Sequence, residues 1–149
     1  MYSTSKLYEI KPDGFSPKVE IAAIYVQVDG KLLFLQRISQ KSEHGAWAVP
    51  AGKLEKHETP IDAAIRELFE ETGIAVTTDS LRSLGSLYIR KPDLDYVYHF
   101  FDLPLRAIPK ITLSQEHSAY MWLSKDGVMI MPLMDGAKEA LEVYYQRRA

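Results

Sequence analysis

One segment of the sequence carries signals for both the start and the end of a helix. Thr59-Pro60 offers a side-chain oxygen at the N-cap followed by proline at the first helical position, and Asp62 adds a variant of the capping box. Gly73 is the residue type that most often ends a helix in the left-handed conformation. The sequence therefore predicts a helix over Pro60–Thr72 with a loop on either side.

Strands are predicted before and after this helix. The runs 21–28 and 31–37 are rich in β-branched and other apolar residues, and Asp29-Gly30 between them is a strong signal for a two-residue hairpin. The polar segment 39–46 is predicted to be a loop. Further strands are predicted at 81–89, 96–103 and 118–123, and a second helix from about 135 to 147. This order of elements predicts an α/β layered domain, a mixed sheet covered by helices.

The overall composition limits the class of protein. The chain has 149 residues, of which 46% are hydrophobic and 26% charged, which is typical of a globular protein and predicts one domain over 1–149. A formal net charge of -2 without a long basic run argues against a long nucleic acid as partner. There is no cysteine, so any metal must bind oxygen or imidazole. No stretch resembles a signal peptide or a membrane span, so we expect no membrane partner and a cytoplasmic location.

Three glutamates on the predicted helix form its most informative polar group. Glu67, Glu70 and Glu71 are spaced i, i+3 and i+4, roughly opposite the apolar residues of the helix, and are expected to point to solvent. Like charges at this spacing destabilise a helix by about 0.2–0.5 kcal/mol per pair. Arg66 is expected to lie beside this group rather than over it. A hard divalent cation, magnesium or else manganese, would offset more of the repulsion, because the available ligands are oxygens.

Acidic triplets are common on surface helices, but this one belongs to a longer pattern. Gly52 is followed after five residues by Glu58, after seven more by Arg66-Glu67-Leu68, and then by Glu70-Glu71 and Gly73-Ile74. Composition alone would produce the whole pattern in this chain with a probability on the order of 10⁻⁷. The pattern resembles the Nudix box, G-x5-E-x7-R-E-U-x-E-E-x-G-U with U an aliphatic residue, and every specified position matches. The resemblance implies a Nudix-type α/β/α sandwich with a catalytic loop-helix-loop motif.

The resemblance also implies roles for residues in and just before the box. Glu67, Glu70 and Glu71 would supply metal ligands or a general base, and Arg66 would pair with Glu58 to brace the loop against the helix. The two box glycines would allow tight turns, and the two aliphatic positions, 68 and 74, would anchor the motif in the core.

One position just before the box departs from the common family pattern. Many Nudix proteins have a glycine there whose backbone carbonyl binds the metal, whereas this chain has Ala51. Alanine has the same carbonyl, so we expect Ala51 to keep the role unless the turn requires a positive φ. A further acid is often recruited from a loop shortly before a strand with an aromatic residue. Glu116, six residues before Trp122, has that place and is predicted to bind metal or act as the base.

Residues outside the box are candidates for contacts with the substrate. Arg37, at the end of a predicted strand, is predicted to bind phosphate oxygens. A nucleobase needs a flat apolar surface, and four tyrosines on or beside predicted strands can provide it by stacking: Tyr88, Tyr96, Tyr98 and Tyr120. Tyr88 and Tyr120 are taken as the candidates. The four histidines are weaker candidates, with His117 ahead of His44, His57 and His99.

The resemblance implies magnesium-dependent hydrolysis of a diphosphate linkage in a nucleoside diphosphate derivative. A nucleoside triphosphate, a nucleotide sugar and a dinucleoside polyphosphate are all open as the small-molecule substrate. The alternative is a regulatory module that binds nucleotides without turnover. An isomerase of the isopentenyl diphosphate type shares the fold but relies on a cysteine, which this chain lacks. Nudix proteins are often dimers, so a homodimer is also considered.

Overall fold

The computed structural model describes residues 5–38 and 45–149. Most of the loop predicted at 39–46, including His44, lies outside the described residues. Eight strands and three helices are described: β1 (Lys6–Tyr8), β2 (Pro17–Val28), β3 (Lys31–Arg37), β4 (Trp47–Ala48), β5 (Ala51–Lys53), α1 (Pro60–Thr72), β6 (Arg82–Lys91), β7 (Leu94–Pro104), β8 (His117–Leu123), α2 (Lys125–Val128) and α3 (Ala137–Arg147). A short 3₁₀ turn, Thr78–Ser80, precedes β6.

The strands form one mixed sheet, as the order of predicted elements indicates. Its central path runs β1-β6-β7-β2-β3-β4, with β5 added to β2 and β8 added to β3. The long strands β2 and β7 pair in parallel, and the other described pairs are antiparallel. The predicted hairpin at Asp29-Gly30 is confirmed, because Val28 pairs with Lys31 and both turn residues have positive φ, 51° and 76°.

Helix α1 begins and ends at the residues that the sequence predicts. The Thr59 hydroxyl accepts a hydrogen bond from the Asp62 backbone N–H at 3.3 Å. Gly73 has φ 77° and its N–H donates to the Phe69 carbonyl at 2.9 Å, which terminates the helix in the left-handed conformation. These caps fix the start and the end of α1, and with them the place of the three glutamates relative to the sheet.

Helices cover both faces of the sheet, which confirms the α/β/α sandwich. Alternate residues of β2 point to opposite faces, so that Ile24 packs with Leu68 of α1 and Tyr25 packs with Tyr144 of α3. Each face has its own cluster of buried apolar side chains. Among the described helices, none has both the length and the apolar character needed to cross a bilayer.

The second helix starts slightly later than predicted. Gly136 has φ 83°, so the chain is still in a left-handed turn there, and α3 begins at Ala137 rather than near 135. Leu133, shortly before this helix, pairs with Trp47 as an isolated parallel bridge. The segment before α3 is thereby tied to the edge of the sheet.

Candidate active site

A cleft of about 900 Å³ lies where three parts of the chain meet. These are the loop from β5 to α1, the exposed side of α1 and the loop that precedes β8. Strand β5 pairs with β2, so the loop starts from the sheet on which α1 also packs. Seven of the predicted site residues line the cleft: Arg37, Ala51, Arg66, Glu67, Glu70, Glu71 and Glu116.

Arg66 is the centre of a hydrogen-bond network between the loop and α1. Its guanidinium donates two hydrogen bonds to the Glu58 carboxylate, at 2.7 and 2.8 Å, and one to the Lys53 carbonyl at 3.1 Å. This confirms the predicted pairing of Arg66 with Glu58. The same guanidinium donates to Glu67 at 2.8 Å and contacts Glu70 at 3.3 Å, so the expectation that Arg66 lies only beside the glutamates is wrong. The arginine is long enough to reach along the helix surface to all of these acceptors.

The ion pair with Arg66 controls the titration of Glu58. Its hydrogen bonds, more than any other cause, lower the pKa of Glu58 from 4.5 to about 2. Glu58 is therefore charged at any physiological pH, and the loop stays tied to α1.

Glu71 is buried, which corrects the prediction that both Glu70 and Glu71 point to solvent. Only 5% of Glu71 is exposed, whereas the side chain of Glu70 is 54% exposed. The cause lies outside the helix: strand β5 packs on this side of α1, and the Ala51 backbone N–H donates to a Glu71 carboxylate oxygen at 3.1 Å. Burial, with the nearby negative charge of Glu67 as the second cause, raises the pKa of Glu71 to about 9.

Glu67 lies between Glu71 and the loop. Burial also raises its pKa, although the hydrogen bond from Arg66 acts in the opposite direction. Its carboxylate occupies the place where a Cβ at position 52 would be, so residue 52 has to be glycine for Glu67 to sit there. Gly52 has no positive φ, unlike Gly73. Its role is thus to allow close approach of Glu67 rather than a left-handed turn, which corrects the expected reason for this glycine.

Ala51 stands at its position without backbone strain. Within residues 5–38 and 45–149, Asp29 and His57 are the only non-glycine residues with positive φ. Because Ala51 is in the ordinary region, its Cβ is tolerated, and the departure from the common family pattern leaves its carbonyl available as a ligand.

The donor set of the cleft suits a hard divalent cation. The described side chains include no group of three or more acids or histidines placed to hold a metal ion by themselves. Glu67 and Glu71 nevertheless lie close enough for each to affect the pKa of the other, and Glu116 adds further negative charge near Glu71. Magnesium typically binds one or two carboxylates and completes its shell with water and substrate phosphates, so two such acids and a backbone carbonyl fit it.

A second cavity, of about 350 Å³, lies beside the cleft and is lined in part by residues of α3. The two share five lining residues: Arg37, Ala51, Gly52, Lys53 and Glu71. Aromatic side chains form much of its wall, namely Tyr25, Phe34, Tyr96 and Tyr98. A cavity of this size is within the roughly 300–1,000 Å³ range of small-molecule sites. An acidic cleft beside an aromatic cavity can hold a ligand with one charged and one flat end.

The profile of the NUDIX domain matches residues 17–145. The chain belongs to the Nudix family. This membership confirms the family that the box indicates. It also confirms the predicted class of enzyme, a Nudix hydrolase. The match extends well beyond the box, from β2 into α3.

Similar proteins differ in how much of their length is matched. The CTP pyrophosphohydrolase of Escherichia coli is 30% identical over 134 residues, covering 88% of this chain and 94% of that protein. The RNA pyrophosphohydrolase of Psychrobacter cryohalolentis is 40% identical over 90 residues, but this covers 54% of the chain and 49% of that protein. The chain thus spans nearly the whole of the first relative and about half of the second.

A solved structure supports the fold. The bifunctional NMN adenylyltransferase/ADP ribose pyrophosphatase of Francisella tularensis, crystallised with AMP and a manganese ion, superimposes with a TM-score of 0.75. The superposition covers 91% of this chain and 43% of that protein at 23% identity. At this identity the likeness supports the α/β/α fold alone.

Two of the tyrosines chosen from the sequence lie elsewhere in this Nudix protein. Tyr88 packs edge-on against Phe15, with ring centroids 5.5 Å apart, and Tyr120 is 45% exposed on β8. Neither is among the described residues that line the two cavities. Tyr96 and Tyr98, from the wider set, do line the second cavity, as does Tyr25, which the sequence did not single out. The alternation along β7 places Tyr96 and Tyr98 on one face, but only the position of α3 shows that this face has the cavity.

Glu116 and His117 are neighbours in sequence that line different cavities. Glu116 is exposed at the rim of the acidic cleft, as expected for an acid recruited from a loop. His117 begins β8, opposite Arg37, and lines the aromatic cavity. Burial and the charge of Arg37 lower the pKa of His117, and its Nδ1 has no hydrogen-bond partner in the described part of the chain.

Proposed function

We propose that this Nudix protein hydrolyses a diphosphate linkage in a small nucleotide, with Mg²⁺ as cofactor and Mn²⁺ as an alternative. We also propose that its preferred substrate is a nucleoside triphosphate. One observation carries the proposal: the acidic cleft and the aromatic cavity lie side by side and share lining residues, among them Arg37 and Glu71. A nucleoside can enter the aromatic cavity while its phosphates lie among the acids. The relative matched over nearly its whole length is a CTP pyrophosphohydrolase, which favours a triphosphate.

The acids of the cleft would hold the metal. We assign Glu67, Glu71 and the Ala51 carbonyl as its ligands, with Glu70 and Glu116 as further ligands from the rim. A bound divalent cation would neutralise charge on the phosphate oxygens and lower the pKa of a bound water.

The remaining residues of the cleft would orient the phosphates and the attacking water. Arg37 donates to phosphate oxygens, because its guanidinium lines both cavities and makes no ion pair within the described segments. Glu67 or Glu116 accepts the proton of the water. Arg66 is a positioning residue, since it fixes the carboxylate of Glu67 through a 2.8 Å hydrogen bond.

The aromatic cavity would hold the nucleoside. Tyr96 provides a flat apolar surface, and Tyr98, His117 and the neighbouring polar groups can bind the edges of the base. Tyr96 takes over the stacking role that the sequence assigned to Tyr88 and Tyr120.

A substrate panel tests the function. Purified protein is mixed with nucleoside triphosphates, ADP-ribose, a nucleotide sugar and a dinucleoside polyphosphate, with Mg²⁺, with Mn²⁺ or with chelator, and the products are separated by ion-exchange chromatography. We expect release of nucleoside monophosphate and pyrophosphate from a triphosphate, and no reaction in chelator.

A matched pair of variants makes the panel specific to the cleft. Glu67→Gln should lower kcat by at least about 100-fold, while Glu142→Gln, an exposed acid on α3, should leave it unchanged. Tight binding of a nucleotide without any product would instead identify a non-catalytic binding module. Equal activity of Glu67→Gln and wild type would show that Glu67 has no role in catalysis.

A further inference from the structure

We propose that the hydroxyl groups of Tyr25 and Tyr98 form a reversible hydrogen-bonding pair that reads the pairing edge of a nucleobase without regard to the order of its donor and acceptor. The proposal rests on the proposed function, because it takes the aromatic cavity as the site of the nucleoside. It predicts an enzyme that tolerates different bases.

The two tyrosines meet across neighbouring strands at the wall of the cavity. Tyr25 is on β2 and Tyr98 on β7, and their hydroxyl oxygens are 2.9 Å apart. Both residues line the aromatic cavity. The pair is thus placed where a planar ligand would present its polar edge.

The rings that carry these hydroxyls are held by packing. Tyr25 is 2% exposed and stacks on Tyr144 with centroids 4.3 Å apart and an interplanar angle of 10°. The Tyr98 ring packs against Phe100 at 5.8 Å. The oxygen atoms therefore have fixed positions, while each hydroxyl hydrogen can still rotate about its C–O bond.

The pair leaves one donor unused. When one hydroxyl donates to the other, the second hydroxyl still has its own hydrogen, and the first oxygen still has a lone pair. Among the described residues, neither hydroxyl makes a second hydrogen bond. Burial raises the pKa of both phenols, so both remain protonated at neutral pH. An unused donor and an unused acceptor side by side in a cavity wall can bind a ligand with the complementary pair of groups.

Nucleobases carry such groups on adjacent atoms, in one of two orders. Cytosine and adenine place an exocyclic amine next to a ring nitrogen that accepts, whereas uracil and guanine place a carbonyl next to a ring N–H that donates. If Tyr25 donates to Tyr98, the pair offers a donor at Tyr98 and an acceptor at Tyr25. If the internal bond reverses, these roles exchange, and the other order of groups is matched. An amide held in one orientation could match only one order, and an ionised carboxylate, which only accepts, could match neither.

The first test compares bases in the wild-type protein. Initial rates are measured for CTP against UTP and for ATP against GTP, with Mg²⁺. We expect the kcat/KM values of the two nucleotides in each pair to differ by less than about 10-fold, because either order of donor and acceptor is satisfied. A preference above 100-fold inside either pair would overturn the proposal.

The second test removes one hydroxyl. Tyr98→Phe keeps the ring but leaves a single hydroxyl, so KM should rise about 10-fold for both members of a pair with little change in kcat. Tyr25→Phe should behave in the same way, and Tyr145→Phe, whose hydroxyl makes no hydrogen bond in the described chain and does not line the cavity, is the matched control. Circular dichroism melts establish that each variant folds. An unchanged KM in both Tyr98→Phe and Tyr25→Phe would refute the proposal.

Binding separates this proposal from the proposed function. The affinities of CMP and UMP are measured by calorimetry without metal, so they do not depend on turnover. Equal binding of CMP and UMP, weakened by Tyr98→Phe, supports the hydroxyl pair even if no triphosphate is hydrolysed. Hydrolysis of triphosphates with no effect of Tyr98→Phe on binding would refute the pair and leave the proposed function intact.

Discussion

Glu71 shows how strongly one buried carboxylate can couple function to stability. Its pKa in the folded protein is about 9, against an ordinary value of 4.5. A carboxyl group whose pKa is raised by folding favours the folded state when it is protonated, and this contribution is complete below about pH 4.5. It is lost as the pH rises towards 9, because the unfolded chain then releases the proton more readily.

Replacing this carboxylate should stabilise the metal-free protein. Glutamine at position 71 keeps an oxygen that can accept from the Ala51 N–H and carries no charge. We expect Glu71→Gln to raise the free energy of unfolding in chelator at pH 8 by on the order of 1 kcal/mol, with little effect at pH 5. Urea unfolding at the two pH values measures the difference.

The neighbouring acid provides the control. Glu70→Gln alters a side chain that is 54% exposed and should change stability little at either pH. Both variants should lower the proposed hydrolase activity. A Glu71→Gln protein that is less stable than wild type at pH 8 would show that the buried Glu71 carboxyl group does not destabilise the folded, metal-free protein.

For the acids of the cleft, the sequence predicts which residues gather but not how deeply each is buried. The helical spacing places Glu67, Glu70 and Glu71 together, and the register of the box identifies all three. It cannot distinguish Glu70 from Glu71, because the strand that covers Glu71 is β5, a three-residue element with no periodicity of its own. The choice among the tyrosines fails for a related reason, since it depends on where α3 packs.

The loop and α1 act as one element because four contacts join them. Arg66 binds Glu58 and the Lys53 carbonyl, Ala51 donates to Glu71, and Gly52 lies against the Glu67 carboxylate. The loop-helix-loop is therefore held together in part by Glu67 and Glu71, two of the side chains that are proposed to bind metal. A change in the loop should reach the acids without any alteration of the acids themselves.

Alanine at position 52 tests this coupling. Its Cβ would overlap the Glu67 carboxylate, which would have to move out of the cleft. We expect Gly52→Ala to lower kcat/KM for the nucleotide that the wild type hydrolyses by about 100-fold, because displacement of a ligand by about 1 Å has effects of this size. Steady-state rates with Mg²⁺ measure the loss.

A second glycine outside the site is the control. Gly127 in α2 also has no positive φ, and a Cβ there would meet the Ser124 hydroxyl at 3.3 Å, so that this hydroxyl need shift by only a few tenths of an ångström. Gly127→Ala should keep the wild-type rate. Normal activity of Gly52→Ala would mean that Glu67 has another position in which it works equally well.

Elements with signals in their own residues are predicted well. The caps of α1 and the Asp29-Gly30 turn are such signals, and their bounds agree with the structure. The short strands β1, β4 and β5 are not predicted, because each consists of two or three residues that pair only when the long strands are already in place. The active site depends on β5, so this part of the geometry needed the structure.

The single domain, the homodimer and the cytoplasmic location remain predictions.

Helix α1 covers one face of the sheet, and helix α3 covers the other. A polar network fastens α3 to the sheet: the Tyr144 hydroxyl donates to the buried Asp102 carboxylate at 2.7 Å, and Arg148 donates to Gln27 at 2.9 Å. The same Tyr144 ring stacks on Tyr25, so the position of α3 affects the wall of the aromatic cavity.

Removing the Tyr144 hydroxyl should destabilise the protein without altering its shape. Asp102, 5% exposed, would lose its shortest side-chain hydrogen bond and, within the described residues, its side chain would retain only the contacts from Gln27, at 3.3 and 3.4 Å. We expect Tyr144→Phe to lower the free energy of unfolding by about 1–3 kcal/mol, since a buried carboxylate is left under-satisfied. The adjacent Tyr145→Phe removes a buried hydroxyl that has no partner in the described chain and should be neutral or slightly stabilising. Urea unfolding of both variants, with equal m-values, measures the contrast; equal losses would show that the Asp102 hydrogen bond contributes nothing specific to holding α3 on the sheet.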